Sequence, residues 1–368
     1  MTEMLVLGFM SGTSLDGVDA ALIETDGRRV DAFAPACLSP FEDAERNLIQ
    51  HATAEALKWN GYGAPPASLC AAEAAVHEAH LRAAREVVAA AGRLPDLVGF
   101  HGQTVLHRPE RKLTVQIGDA QALSDALGVP VVAGMRLDDL AAGGQGAPLV
   151  PAYHAALAEK LSLELPVAFL NLGGVANLTF IGAERELIAF DTGPANGLID
   201  QIVQARGAGR FDEGGRLAAA GVVDEDVLAQ LLSHDHFRGT GPRSLDRYDF
   251  PLDWADAFSL ENAVATLTAF TADSVALAAR SLPQAPGTWV VCGGGCHNPV
   301  LMEALSERLG NCRKADDLGL RSDFVEAEAM AFLAARSAQG LPLTYPGTTG
   351  VPAPLTGGTL YHPALIGV

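Results

Sequence analysis

Residues 4–24, MLVLGFMSGTSLDGVDAALIE, contain the pattern that decides the fold. The apolar segment LVLGFM is followed by a polar turn, residues 11–17, and then by a second apolar segment, VDAALIE. Short apolar segments joined by a turn rich in glycine and hydroxyl side chains are typical of a β-hairpin. We therefore expect two strands here, joined by a turn with few bulky side chains.

The same layout occurs again in residues 167–181, VAFLNLGGVANLTFI, where two apolar segments flank Gly173 and Gly174. A further strand is expected at residues 186–190. Helical periodicity is found around both hairpins, at residues 67–91, 194–204, 260–279, 298–309 and 323–338. Short strand candidates lie at residues 97–101, 113–117, 129–133 and 288–292. The repeat predicts two related α/β halves.

The length of the chain, 368 residues, favours two domains, since domains are typically about 150 residues long. A glycine cluster before Pro148 suggests a boundary there. We expect a first domain of residues 1–150 and a second of residues 151–340. Residues 341–368 are rich in Pro and Gly, and we expect them to form a strap that packs on the first domain.

Charge and cysteine content argue against several classes of partner. The 25 Lys and Arg residues against 44 Asp and Glu residues give a net charge of −19, which repels nucleic acid and anionic membranes. The N-terminus lacks the features of a secretory signal, and no apolar segment is suited to span a membrane. The five cysteines form no CxxC pair, so neither a disulfide framework nor a zinc site is favoured. We expect a protein of the reducing cytoplasm.

The turn at residues 11–17 is suited to anions. It is not a Walker P-loop, because Val18 and Asp19 stand where that motif has Lys and Ser or Thr. Small residues let backbone N–H groups converge, and three hydroxyl side chains add donors: Ser11, Thr13 and Ser14. Asp16 is a candidate ligand of Mg²⁺, through water. An ordinary hairpin turn has the same composition, and both interpretations stay open.

Asp191 follows an apolar strand just before a helix begins, in residues 190–196, FDTGPAN. Strand ends that border helix starts are where α/β sheets place ligands, and a carboxylate there can accept a proton from a hydroxyl or a water. A helix N-cap is an equally good interpretation.

Residues 290–299, VVCGGGCHNP, form a strand followed by three glycines and a helix start. Such a turn lets the backbone approach adenine or a phosphate closely. The segment lacks the GxGxxG pattern, which disfavours NAD, and a tight turn without a ligand remains an alternative.

Polar clusters follow two successive strands, at residues 101–104, HGQT, and 116–119, QIGD. Converging donors and acceptors suit a sugar, and Arg136 and the loop at residues 143–146 extend the cluster. For His101 alone, a satisfied buried histidine is the simpler interpretation.

Two other groups of histidines do not indicate a functional site. His77 and His80 lack the HExxH spacing and suit a solvated helix face, and residues 234–236 suit a polar loop.

Six segments in order span most of the chain: 10–17 (MSGTSLDG) with Asp19, 101–104 (HGQT), 143–148 (GGQGAP), 171–177 (NLGGVAN), 191–194 (DTGP) with Asn196, and 292–299 (CGGGCHNP). Together with Asp323 and residues 326–327, they resemble the anhydro-N-acetylmuramic acid kinase family. The resemblance implies two ribonuclease H-like domains of the actin, hexokinase and Hsp70 superfamily, with an interdomain cleft. It leaves a homodimer open.

The resemblance also implies roles for individual residues. ATP phosphates would contact the two hairpin turns, at Ser11, Gly12, Thr13, Ser14, Asp16, Gly17, Gly173, Gly174 and Asn177. Adenosine would contact Gly293, Gly294, Gly295 and Asn298. The sugar would contact His101, Gln103, Thr104, Arg136 and Gln145. Asp191 would be the catalytic base, assisted by Glu326, with Mg²⁺ bound through Asp16.

The implied reaction uses ATP and water. Water opens the 1,6-anhydro bridge of the muramic sugar at the anomeric carbon, and the released O6 takes the γ-phosphoryl group, as in cell-wall recycling. A non-catalytic ATP-binding switch, another sugar kinase and a carbohydrate-binding module are the alternatives. The chain departs from the family pattern at Ala195, where glycine is usual, in the loop at residues 135–139, and at Arg243, where lysine is usual.

Overall fold

The computed structural model describes residues 3–12, 14–238 and 250–364. Thr13 and the loop that contains Arg243 lie outside these residues. The chain divides into two compact units: unit 1 is Met1–Lys160 with Phe324–Val368, and unit 2 is Leu161–Asp323. These bounds differ from the expected 150 and 340. Two helices of the expected second domain, Pro151–Lys160 and Val325–Ala338, pack on strands of the first unit instead.

The strands are β1 (Met4–Ser11), β2 (Gly17–Thr25), β3 (Val30–Pro40), β4 (Leu97–Arg108), β5 (Leu113–Ile117), β6 (Val131–Ala133), β7 (Val167–Leu172), β8 (Val175–Ile181), β9 (Leu187–Pro194), β10 (Thr288–Cys292), β11 (Cys312–Lys314) and β12 (Thr359–Tyr361).

The α-helices are α1 (Asp43–Trp59), α2 (Ser68–Ala91), α3 (Ala120–Leu127), α4 (Leu137–Ala141), α5 (Pro151–Lys160), α6 (Asn196–Ala205), α7 (Arg216–Ala220), α8 (Glu225–Leu232), α9 (Leu260–Ala279), α10 (Pro299–Leu309), α11 (Val325–Ala338) and α12 (Pro346–Thr349). Short 3₁₀ segments include Asp235–Arg238 and Gly294–His297.

The two units contain sheets with the same strand arrangement. In unit 1 the order is β12-β6-β4-β1-β2-β3, and in unit 2 it is β11-β10-β7-β8-β9. The first three strands of each unit form an antiparallel meander, and the next two core strands run parallel to the first strand. This is the ribonuclease H-type order, so the predicted fold class and both hairpins are confirmed.

Helix α11 contacts β1, β2 and β4 because two paired glycines remove the side chains between them. Gly8 and Gly99 face each other across β1 and β4. A Cβ at Gly8 would clash with the carbonyl oxygen of Ala327, and one at Gly99 with that of Met330. Helix α11 therefore belongs to unit 1, and its first turn carries Glu326.

The apolar core of unit 1 includes β1, β2 and β4 and the inner faces of α1 and α2. His80 on α2 is part of this core, contrary to the expected solvated face. Its ring lies edge-on between Phe9 and Phe100, and its Nδ1 donates to the carbonyl of Val76, 2.7 Å away. The residues around His80 are apolar at helical spacing, which places this face of α2 in the core.

In unit 2, strands β7, β8 and β10 pack against α9 and α10. Helix α9 begins after Ser259, whose hydroxyl caps the amide of Asn262, and α10 begins after Asn298. The C-terminal segment lies on unit 1, where β12 pairs antiparallel with β6. Across the described ranges, no helix has the length and apolar character needed to cross a membrane.

Replacing Gly99 by Ala places a methyl group against the backbone of α11. We expect Gly99→Ala to lower the free energy of unfolding by about 1–3 kcal/mol, the usual cost of overpacking. Gly287→Ala is the control, since its Cβ would meet only the carbonyl oxygen of Pro166 at 3.8 Å. Urea denaturation measures both, and equal stability of the two variants would contradict the account.

Burial lowers the pKa of His80 to about 4, below the value near 6.5 of an unfolded chain. The unfolded state then binds the proton more readily, so this contribution to stability is present above pH 6.5 and is lost as the pH falls towards 4. The slope is at most about 1.4 kcal/mol per pH unit. We expect His80→Leu to lose stability less steeply than the parent in urea titrations at pH 7, 6 and 5; parallel slopes would refute it.

Candidate active site

The first predicted phosphate turn joins β1 to β2, and two unsatisfied buried polar atoms lie beside it, one at the end of β1 and one on β4. Ser11 Oγ and Gln103 Oε1 have no hydrogen-bond partner among the described residues, although both side chains are buried. The two residues are cross-strand neighbours, and Gln103 Nε2 donates to the carbonyl of Gly12 at 3.3 Å. Because an unsatisfied buried polar atom is costly, this pair suits a polar ligand. Gln103 therefore lies beside the predicted phosphate turn.

The described residues of this turn offer groups of the kind that a phosphate and a metal ion use. A Cβ at Gly12 would meet only Ser14 Oγ, at 3.7 Å, so the backbone is open to a close approach. Ser14 and Asp16 are exposed, and Gly17 begins β2. Hydroxyl and amide donors suit phosphate oxygens, and a carboxylate oxygen suits Mg²⁺.

His101 and Arg136 form the centre of a second group in unit 1. Arg136 Nε donates to His101 Nε2 at 2.9 Å, and His101 Nδ1 donates to the carbonyl of Gly102 at 2.7 Å. Burial, followed by the charge of Arg136, lowers the pKa of His101 to about 3, so the imidazole is neutral. Burial also lowers the pKa of Arg136 to about 10, against the opposite effect of Glu326 and Asp139. At neutral pH the guanidinium keeps its charge.

A chain of hydrogen bonds connects Thr104 to the loop at residues 143–146. Gln116 Nε2 donates to Thr104 Oγ1 at 3.2 Å and to Thr114 Oγ1 at 2.5 Å. Thr114 Oγ1 lies 3.0 Å from His107 Nδ1, and His107 Nε2 donates to the carbonyl of Gln145 at 3.0 Å. The structure thus brings together four of the five predicted sugar contacts: His101, Thr104, Arg136 and Gln145. Sequence reasoning did not single out His107, whose role depends on a contact 38 residues away.

In unit 2, Asp191 lies in a row of polar residues that runs across the sheet. Asp191 pairs with Asn177, Asn177 with Asn171, and Asn171 with Cys292. Asp191, Asn177 and Asn171 are each half-buried. Asn171 was not among the predicted site residues, although the register of a predicted hairpin places it opposite Asn177.

The second predicted phosphate turn is bonded to the start of α6. The carbonyl of Gly174 accepts from the amides of Ala195 and Gly197, both at 3.1 Å, and that of Gly173 from Asn196 at 2.9 Å. Asn196 Nδ2 also donates to the carbonyl of Leu172. Ala195 is buried, and its methyl group is accommodated in the core of unit 2.

The third glycine turn packs beside the second. A Cβ at Gly295 would lie 2.6 Å from Leu172 Cβ and 3.1 Å from Asn196 Nδ2, and a Cβ at Gly293 would clash with Asn171 Oδ1. Asn298 Oδ1 caps α10 by accepting from the amides of Val300 and Leu301, so its side chain has a structural role. Unit 2 thus places Asp191, the Gly173–Gly174 turn and the glycines at 293–295 towards the same end of the sheet, where β7 and β10 finish.

Comparison with known proteins identifies the family. A sequence profile described as anhydro-N-acetylmuramic acid kinase matches residues 4–363. The chain is 51% identical to the anhydro-N-acetylmuramic acid kinase of Caulobacter vibrioides, over 97% of this chain and 98% of that protein. It is 50% identical to that of Rhodopseudomonas palustris, over 98% and 100%. The chain belongs to the anhydro-N-acetylmuramic acid kinase family.

Among solved structures, the activator of the 2-hydroxyisocaproyl-CoA dehydratase from Clostridium difficile with bound ADPNP superposes with a TM-score of 0.45 at 12% identity. That alignment covers 91% of this chain and 96% of the activator.

One contact of this family member lies outside the predicted site residues. His236, expected in a polar loop, lies in a 3₁₀ segment, and its Nε2 is 3.1 Å from the backbone carbonyl of Asp191. A hydrogen bond between residues 45 apart in sequence has no local signal.

Three potential metal ligands, Cys296, His297 and Asp316, come within 4.8 Å of one another. Burial raises the pKa of the Cys296 thiol, and a protonated thiol is a poor metal ligand. Both oxygens of Asp316 already accept hydrogen bonds from Ser322. We assign no metal to this group.

Gly197 is required where α6 meets the second turn. A Cβ there would lie 2.8 Å from the carbonyl oxygen of Gly174, so Gly197→Ala has to displace the turn. We expect this variant to bind ATP with Mg²⁺ about tenfold more weakly in calorimetry, a loss of about 1.4 kcal/mol. Gly287→Ala serves as the control in the same unit. Unchanged affinity in Gly197→Ala would exclude this turn from the nucleotide site.

Proposed function

We propose that this protein is an ATP-dependent kinase that opens 1,6-anhydro-N-acetylmuramic acid with water and phosphorylates O6, giving N-acetylmuramic acid 6-phosphate. The observation that carries the proposal is the half-buried carboxylate of Asp191, in one polar row with Asn177 and Asn171 and in the same unit as two glycine turns. The identity of the substrate is inferred from family membership.

Asp191 is the proposed general base. It accepts a proton from the water that attacks the anomeric carbon, while the bond from that carbon to O6 breaks. The leaving oxygen would develop the charge of an alkoxide, which is a poor leaving group. Transfer of the γ-phosphoryl group to O6 neutralises that charge, so hydrolysis and phosphorylation assist each other. Glu326, in the first turn of α11, is proposed to orient the reactants.

In each unit, glycine turns are proposed to contact ATP. In unit 1, the unsatisfied hydroxyl of Ser11 and the open backbone at Gly12 support phosphate binding. In unit 2, the Gly173–Gly174 turn is proposed to contact phosphate, and the glycines at 293–295 the nucleoside. Mg²⁺, bound by Asp16 through water, would neutralise phosphate charge.

The sugar is proposed to bind at the group around His101 and Arg136. The positive guanidinium of Arg136 suits the carboxylate of a muramic acid, because a guanidinium matches a carboxylate in geometry as well as in charge. The side-chain amide of Gln145 makes no hydrogen bond within the described ranges and offers both a donor and an acceptor to a hydroxyl.

We place the reaction in the recycling of cell-wall sugars in the reducing cytoplasm, where the free cysteines at positions 37, 70, 292, 296 and 312 would stay reduced. A homodimer stays a prediction, and sedimentation of the purified protein tests it.

The activity is tested by incubating the protein with ATP, Mg²⁺ and the anhydro sugar and weighing the product. The product should gain both a phosphate group and the elements of water.

Replacing the base should then stop the chemistry and spare nucleotide binding. We expect Asp191→Asn to reduce turnover about 10³-fold or more, since general bases typically contribute 10²–10⁴-fold. Its affinity for ATP in calorimetry should change less than threefold. Asp226→Asn, an exposed acid on α8, is the control for the lost charge. Unchanged turnover in Asp191→Asn would remove this residue from the mechanism, and a nucleotide-binding switch would show no sugar phosphorylation in any variant.

A further inference from the structure

The glycine-rich loop at residues 143–146 is held by hydrogen bonds to each of its backbone amides. Gly143 donates to the carbonyl of Leu140 at 3.0 Å and Gly144 to that of Asp139 at 2.9 Å. Gln145 donates to the carbonyl of Thr349 at 2.8 Å, and Gly146 to Asp139 Oδ1 at 2.6 Å. A loop of this composition is therefore ordered by contacts from outside itself.

Arg136 and Asp139 lie about one helical turn apart, and each makes a hydrogen bond to the backbone of Gly146. Arg136 donates to its carbonyl at 2.5 Å, and Asp139 accepts from its amide. Asp139 is 1% exposed, and a Cβ at Gly144 would clash with its carboxylate, so glycine is needed for this approach. Through Gly146, Asp139 is thereby connected to Arg136, whose guanidinium contacts His101.

The second oxygen of Asp139 is bonded to the C-terminal segment. Thr349 Oγ1 donates to Asp139 Oδ2 at 2.6 Å, across 210 residues of sequence. Thr349 is fully buried, and its carbonyl accepts from Gln145, so one residue contacts both the carboxylate and the loop.

Thr349 is itself held by α11. Arg336 on that helix donates to the Tyr345 hydroxyl at 3.0 Å and to the carbonyl of Pro342 at 2.6 Å. Tyr345 precedes α12, the short helix that ends at Thr349. Helix α11 therefore contacts the segment that leads into α12 and ends at Thr349.

We propose that Thr349 is a positioning residue for sugar recognition: through the buried carboxylate of Asp139 it sets the backbone of residues 143–146 and with it the direction of the Gln145 side chain. The proposal rests on the proposed function of this loop. Thr349 itself touches no substrate. Losing its hydroxyl leaves Asp139 Oδ2 without this donor and frees the carboxylate to turn away from Gly146.

The test compares three variants of the full chain. Thr349→Val removes the hydroxyl at nearly constant volume, and Thr349→Ser keeps it. Thr344→Val is the matched control, since Thr344 lies in the same segment and is 2% exposed, but its hydroxyl has no partner among the described residues. Thermal unfolding verifies that each variant is folded.

The first measurement is hydrogen–deuterium exchange of the peptide that covers residues 143–146, without ligand. We expect exchange in Thr349→Val to be at least fivefold faster than in the parent, with Thr349→Ser and Thr344→Val within twofold of it. Equal exchange in Thr349→Val and the parent would overturn the proposal, whether or not the protein is a kinase.

The second measurement is steady-state kinetics. We expect Thr349→Val to raise the KM for the anhydro sugar at least fivefold, with the KM for ATP within twofold and rescue in Thr349→Ser. Faster exchange with an unchanged sugar KM would refute the role in recognition. Should the parent protein fail to phosphorylate the sugar, the proposed function fails, and the exchange result still decides whether Thr349 orders the loop.

Discussion

Both units depend on one constraint: at certain glycines, two backbone segments approach so closely that no side chain would fit between them. In unit 1, the paired glycines Gly8 and Gly99 let α11 lie directly on the sheet, which brings Glu326 into the charged surroundings of Arg136. In unit 2, Gly197 and Gly295 let the start of α6 and the third glycine turn pack against the second turn. These close contacts at glycine are thus needed to assemble both units.

The electrostatic surroundings of the His101–Arg136 group differ from those of Asp191. The group in unit 1 holds a charged guanidinium beside a neutral imidazole, because burial outweighs the proton affinity of His101. Asp191 lies instead half-buried within β9, with Asn177 as its cross-strand neighbour. A fixed cation suits substrate binding, and a half-buried carboxylate suits proton transfer. The proposed reaction needs both a group that recognises the sugar and a base that deprotonates the attacking water.

Sequence alone predicted the two hairpins, the helices at 260–279 and 298–309, and most of the polar segments, because each has a local pattern. It missed β3, a partly exposed strand of mixed composition, and it ended β4 at His101, since polar side chains mask the last seven residues of that strand. It placed α11 in the wrong half, because only the paired glycines in distant strands determine where that helix packs. Contacts such as His107 to Gln145 and His236 to Asp191 join distant residues, so no spacing rule could reveal them.

The central claim is that water attacks the sugar while the sugar oxygen attacks phosphorus. The most direct measurement runs the reaction in ¹⁸O-labelled water and locates the label by mass spectrometry of product fragments, with unlabelled product incubated in the same water as the control for exchange. The account predicts one ¹⁸O at the anomeric carbon and none in the phosphoryl group. Label in the phosphoryl group, or a phosphorylated sugar without label, would contradict it.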